Sequence, residues 1–117
     1  MSTARLFLSG IRATGRHGAR PGEKDEPQDF VVDLDIEVNV GDDDIAGTAD
    51  YRGIIEATRA IVEQRSFDLI ESMAAAIADD LLRIDRIAHV TAVVHKPNAA
   101  RRLDIDGVAA AATAPHR

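Results

Sequence analysis

From Phe30 to Val40 the chain alternates without interruption. Phe30, Val32, Leu34, Ile36, Val38 and Val40 fall on one parity, and Val31, Asp33, Asp35, Glu37 and Asn39 fall on the other. A period of two over that length suits an extended strand and no helix, because successive strand side chains point to opposite faces. One face is therefore buried and the other wet, with three acids on the wet side, the pattern of an antiparallel sheet covered on one face only.

The other elements follow from this one. Arg5 to Thr14 reads as a strand marked by Leu6, Leu8 and Ile11, with Gly10 as a candidate bulge. Gly15 to Pro27 carries three glycines and two prolines and reads as the loop of a long hairpin. Gly41 to Gly47 is a short acidic connection. Its Asp42-Asp43-Asp44 run suggests a cation site, but no spaced ligand set follows, and solvated turn residues account for it better. The period then changes. Ile54, Ile55, Thr58, Ile61 and Val62 form the inner stripe of a helix from about Tyr51 to Gln64, capped by Thr48 or Asp50. A second helix runs from Leu69 to about Leu82, with Ile70, Met73, Ala74, Ile77 and Leu81 inward. Asp68 is its expected N-cap, and Glu71 three residues on completes a capping-box pattern.

Ile87 to Lys96 reads as a third strand, with Val90, Ala92 and Val94 on one face and His89, Thr91, Val93 and His95 on the other; Pro97 ends it. Asn98 to Arg102 is expected as a loop, Ile105 to Thr113 as a last strand, and Ala114 to Arg117 as frayed chain. The order β-β-α-α-β-β segregates strands from helices. The expected class is α+β, a single domain over 1–117 with a four-stranded antiparallel sheet and two helices on one face. Such a sheet has two open edges, and pairing between subunits is one way to cover them.

Composition narrows the function. The formal net charge of −6 argues against nucleic acid and against an anionic membrane surface. The absence of cysteine excludes disulfides, thiolate nucleophiles and thiolate metal ligands. No apolar run reaches the length of a membrane span, and the N-terminus has no apolar leader core, so the expected location is the cytoplasm. Four scattered histidines, with no H-x-H or H-x-x-x-H pair, make a zinc site at His17 or His95 improbable.

Four residues have chemistry to weigh. Glu71, in the first turn of a helix beside buried side chains, is placed to accept two parallel N–H bonds from a planar, guanidine-like edge, although capping boxes are commoner than ligand carboxylates. Tyr51 opens the first helix and is either a packing residue or a phenolic proton donor. Lys96 ends the third strand; held against a planar ligand it can exchange protons. Glu23 is an acid in a Gly/Pro loop, where most charges are merely solvated.

Five segments in order resemble one family over essentially the full length: Gly15-Arg16-His17-Gly18-Ala19 with Glu23 beyond, Gln28-Asp29-Phe30-Val31-Val32-Asp33, Asp50-Tyr51, Leu69-Ile70-Glu71, and Val94-His95-Lys96-Pro97. The family is dihydroneopterin aldolase. The resemblance implies the tunnelling fold, a homotetrameric barrel or a homo-octamer of two stacked rings, with active sites between subunits. It implies retro-aldol cleavage of 7,8-dihydroneopterin, a lyase step of folate biosynthesis, with no metal, no cofactor and no Schiff base. It assigns Lys96, Tyr51 and Glu23 to catalysis. Substrate binding would fall to Glu71, backbone at Leu69 and Ile70, Glu23 and Tyr51. After Lys96-Pro97 the chain departs from the family pattern, with no second proline and with Arg101-Arg102 in the following segment. That segment and the region around Glu71 lean toward the dihydroneopterin triphosphate 2′-epimerase branch, and a non-catalytic pterin-binding ring is the remaining alternative.

Overall fold

A computed structural model describes residues 2–116. Its elements are β1 (Ser2–Gly15), β2 (Gln28–Val40), α1 (Tyr51–Gln64), α2 (Ile70–Leu82), β3 (Ile87–His95), α3 (Pro97–Leu103) and β4 (Ala109–Ala114), with 3-10 turns at Glu23–Asp25 and Ile45–Gly47. The four strands form one antiparallel sheet in the order β1-β2-β3-β4, which leaves β1 and β4 as its edges. The expected α+β sheet with α1 and α2 on one side is thus the fold, and α3 adds a third helix beside the opposite face, where Pro97 and Ala100 line a groove with Val31 and Asp33.

Register explains the one-sided core. Val32 pairs with Ile11 on one side and Val94 on the other, Leu34 with Leu8 and Ala92, and Ile36 with Leu6 and Val90. These rows put the apolar parity of three strands on a common face. α2 lies over β3 and β4, and α1 over β1. Ile54 and Val62 from α1, Met73, Ile77 and Leu81 from α2, and Phe30, Ile36 and Val90 from the sheet are fully or almost fully enclosed in one core. Gly10 forms the expected bulge: its φ of 74° lies in the left-handed region, and the β1–β2 register shifts between Leu8 and Ile11. The Gly10 N–H freed there donates to Asp33 Oδ1 at 2.8 Å.

Several expectations need correction. Of the two expected caps of α1 it is Asp50 that serves, its carboxylate accepting from the Arg52 N–H at 3.0 Å. Asp68 does not cap α2. Leu69 holds the N-cap position in extended conformation with no side-chain cap bond, and Asp68 instead pairs with Lys24 at 2.7 Å. A nearby ammonium has taken the carboxylate that the capping box required. The segment after Lys96 is a helix, α3, not a loop: Pro97 supplies the pre-set φ of a first helical position, and Asp104 in the left-handed region ends it. The last strand is shorter than expected and begins at Ala109, because the α3 C-cap and a turn consume 104–108. Ala114 is not frayed; it pairs with Val90 and is buried. Arg117 lies outside the described residues. Among those described, no helix is long and apolar enough to cross a membrane.

Candidate active site

Two irregular segments meet in the fold: the loop 16–27 between β1 and β2, and the connection 65–69 between α1 and α2. The Gly18 N–H donates to the Phe67 carbonyl at 3.0 Å, and Lys24 pairs with Asp68. The buried His17 ring joins them again. Its Nδ1 accepts from the Phe67 N–H at 3.1 Å, and its Nε2 lies 2.7 Å from the Val62 carbonyl at the end of α1. Gly15 and Gly18 make this possible. A Cβ on Gly15 would collide with the Val62 carbonyl and the His17 ring, and one on Gly18, where φ is 143°, would collide with the Glu23 side chain.

Glu23 therefore turns inward rather than into solvent. Its carboxylate Oε2 accepts from Lys96 Nζ at 2.6 Å, and only 11% of the Glu23 side chain and 17% of the Lys96 side chain are exposed. Gln28 is buried behind the pair. Its Nε2 donates to Glu23 Oε2 at 3.2 Å and to the His17 carbonyl at 2.9 Å. Both of those partners are acceptors, so the orientation of the Gln28 amide is set, and its buried Oε1 has no protein partner among the described residues. The hydrogen bond from Lys96, helped by Gln28 and the Arg20 N–H and opposed by burial, holds the Glu23 carboxyl down to about 2. Lys96 is anchored at its backbone. Its N–H donates to the Val108 carbonyl at 3.0 Å, and its own carbonyl accepts from Ala99 and Ala100 as α3 begins.

A groove of about 360 Å³ opens beside Lys96, lined by Val31, Asp33, His95, Pro97 and Ala100 among others. On its wall His95 Nε2 lies 2.7 Å from Asp33 Oδ2. The bulge N–H of Gly10, with His95, lowers the Asp33 carboxyl below its usual range against the opposing effect of burial. A shielded ammonium on a carboxylate, facing a groove, can deliver and retrieve a proton.

The structure brings Glu23 and Lys96, 73 positions apart, into contact. It leaves the remaining candidates at the surface or its margin. Tyr51 opens α1 and is 52% exposed, Leu69 is 48% exposed, Glu71 is exposed in the first turn of α2, and Ile70 packs partly against the core. Among the described residues the Tyr51 and Glu71 side chains form no hydrogen bond or ion pair, and no group of three or more acidic or histidine side chains is placed to hold a metal ion. His17 and Gln28 lie in segments that carry the family resemblance, but neither has a role legible from its own residue type. The local signal for His17 is its place between Gly15 and Gly18.

The family model described as FolB, dihydroneopterin aldolase, matches residues 6–113. A dihydroneopterin aldolase of Streptomyces coelicolor is 36% identical over 108 residues, spanning 89% of this chain and 91% of that protein. Among solved structures, E. coli dihydroneopterin aldolase in complex with neopterin superposes with a TM-score of 0.81 at 24% identity, covering 94% of this chain and 97% of that one. A dihydroneopterin aldolase from Burkholderia thailandensis bound to guanine gives 0.81 at 23% identity, covering 98% and 93%. The last two likenesses establish the fold. With the family match across nearly the whole length, the chain belongs to the dihydroneopterin aldolase family.

Proposed function

We propose that this protein cleaves 7,8-dihydroneopterin by a retro-aldol reaction to 6-hydroxymethyl-7,8-dihydropterin and glycolaldehyde, in the cytoplasm, as a step of folate biosynthesis. The observation that carries the reading is the shielded Lys96–Glu23 pair beside a groove. The substrate's own C=N bond accepts the electrons of the breaking carbon–carbon bond, so the protein has only to orient the molecule and move protons. Lys96 is the proton donor and acceptor. Glu23 orients the Lys96 amine and contacts the side-chain hydroxyls or a water. Glu71 accepts two hydrogen bonds from the amino-pyrimidine edge, with backbone at Leu69 and Ile70 completing recognition. Tyr51 comes from a neighbouring subunit and assists protonation. Exposed Tyr51 and Leu69, an uncommitted Glu71, and unpaired edges at β1 and β4 support sites completed between copies in a homotetramer or homo-octamer.

The test is to incubate purified protein with dihydroneopterin and assay glycolaldehyde. Lys96→Ala is expected to lower the rate by about 10³-fold. No product above that control would refute the activity; pterin binding without turnover would instead leave a non-catalytic ring.

One observation favours the epimerase as a second reading. Arg12 and Arg101, from opposite ends of the chain, line one groove of about 450 Å³ next to Pro97, where guanidinium forks suit a phosphorylated substrate tail. Preference for the unphosphorylated substrate, unchanged in an Arg101→Ala, Arg102→Ala double variant, would count against it.

A further inference from the structure

The loop that carries the proposed catalytic carboxylate and the segment leading into the proposed recognition carboxylate are joined by the Gly18–Phe67 backbone bond, by the Lys24–Asp68 pair and, as the one buried side-chain link, by His17. The loop 16–27 holds Glu23; the connection 65–69 runs directly into Glu71. His17 touches both, and its two ring nitrogens face groups of opposite kind. Nδ1 meets a backbone N–H, that of Phe67, which can only donate. Nε2 meets the Val62 carbonyl, which can only accept. One protonation state satisfies both: neutral imidazole with its hydrogen on Nε2. The His17 carbonyl then passes the constraint on, accepting from the Gln28 amide that also holds Glu23.

We propose that His17, as its neutral Nε2–H tautomer, is the positioning residue that clamps the Glu23 loop to the segment leading into Glu71, so that catalytic and recognition carboxylates keep a fixed separation. The proposal rests on the roles given to Glu23 and Glu71 above. The ring is packed for this task. Phe30 meets it edge-on at 5.1 Å between centroids, and Phe67 lies at 5.6 Å.

Protonation undoes the clamp. Imidazolium carries hydrogen on both nitrogens, so Nδ1–H would confront the Phe67 N–H, donor against donor. Burial is the main influence holding the His17 ring neutral, and the charges of Lys24 and Lys96 act in the same direction, while the Val62 carbonyl opposes them. Glu23, the nearest carboxylate in the network, is already engaged by Lys96 and Gln28. Arg65 lies 5.2 Å from the Phe67 ring centre. The folded-state pKa is therefore below 6.5. The clamp's contribution is fully present above that value and is lost as pH falls through the lowered one.

Two measurements test this. In the unmodified protein, long-range ¹H–¹⁵N spectra of labelled histidine at pH 7 should show His17 with a bare Nδ1 and a protonated Nε2. The Nδ1–H tautomer or imidazolium would overturn the proposal. On lowering the pH, neopterin affinity should fall in step with the His17 shifts; constant affinity through that titration would also overturn it. The second measurement compares variants by neopterin titration and steady-state kinetics with dihydroneopterin. His17→Asn keeps an acceptor near Nδ1 and should stay within about threefold of the parent in KM and neopterin Kd. His17→Gln keeps only a donor near Nε2 and should raise both by about tenfold, with kcat changed less. Equal losses in the two variants would overturn the clamp. Glu71→Gln, run alongside, separates the two readings: unchanged neopterin affinity there removes the recognition role of Glu71, whereas the His17 tautomer and the Asn–Gln contrast report on the clamp.

Discussion

Removing either member of the Glu23–Lys96 pair leaves a charge with no counter-charge in a shielded place. Breaking such a pair on one side is costly because desolvation remains after the attraction is gone. Lys96→Met is therefore expected to lower the unfolding free energy by about 3 kcal/mol at neutral pH, read by urea denaturation. Adding Glu23→Gln to it should restore part of that loss. A Lys96→Met protein as stable as the parent would show that the two side chains do not share this contact. The pair also sets an acid limit. The Glu23 carboxyl is lowered from 4.5 to about 2, so the unfolded chain binds the proton more readily than the folded one. The stabilisation is complete above 4.5 and is lost as pH falls toward 2. The difference in stability between parent and Glu23→Gln should shrink across that window, and a constant difference would contradict the assignment.

The two helices differ at their starts, and the difference is measurable. α1 has a true cap in Asp50, so Asp50→Ala should cost about 1 kcal/mol in thermal or chemical unfolding. α2 has none: Asp68 is turned to Lys24, in a pair whose acid is largely exposed and whose amine is partly so. Asp68→Ala should cost about 0.5 kcal/mol or less. Equal costs for the two substitutions would return Asp68 to the capping role that its sequence position suggests. The first N–H groups of α2 therefore have no side-chain cap.

For the whole molecule, the sheet is satisfied on its helical face and open along β1 and β4. If sites are built from Tyr51 of one copy and Lys96 of another, two inactive variants can repair each other. Tyr51→Ala and Lys96→Ala proteins, mixed equally and allowed to exchange subunits, should regain intact Tyr51–Lys96 combinations at about a quarter of sites. The assay is glycolaldehyde release before and after exchange. No recovery, with exchange verified by mass, would place both side chains within one copy.

The alternating run from Phe30 to Val40 and the helical stripes over 51–64 and 70–82 were legible in the sequence because periodicity is local. A period of two or of 3.6 declares an apolar face wherever the chain goes, and the one-sided sheet with its helical cover follows. The bulge at Gly10 was legible for the same kind of reason, since only that residue tolerates the required φ without strain. The alanine-rich end was not: 97–114 carries no clear period, so Pro97 and the left-handed Asp104 decided between helix and strand. Contacts between distant segments were less legible still. Asp68 looked like a cap until the fold brought Lys24 to it, and Glu23 looked like a solvated loop acid until the fold brought Lys96. His17 had no visible purpose until Val62 and Phe67 stood on either side of its ring. Sequence alone determined which faces are apolar and hence which layers form. Only tertiary structure decided which charges and donors meet, because those partners lie tens of residues apart and each was chosen by the packing of the layers that carry it.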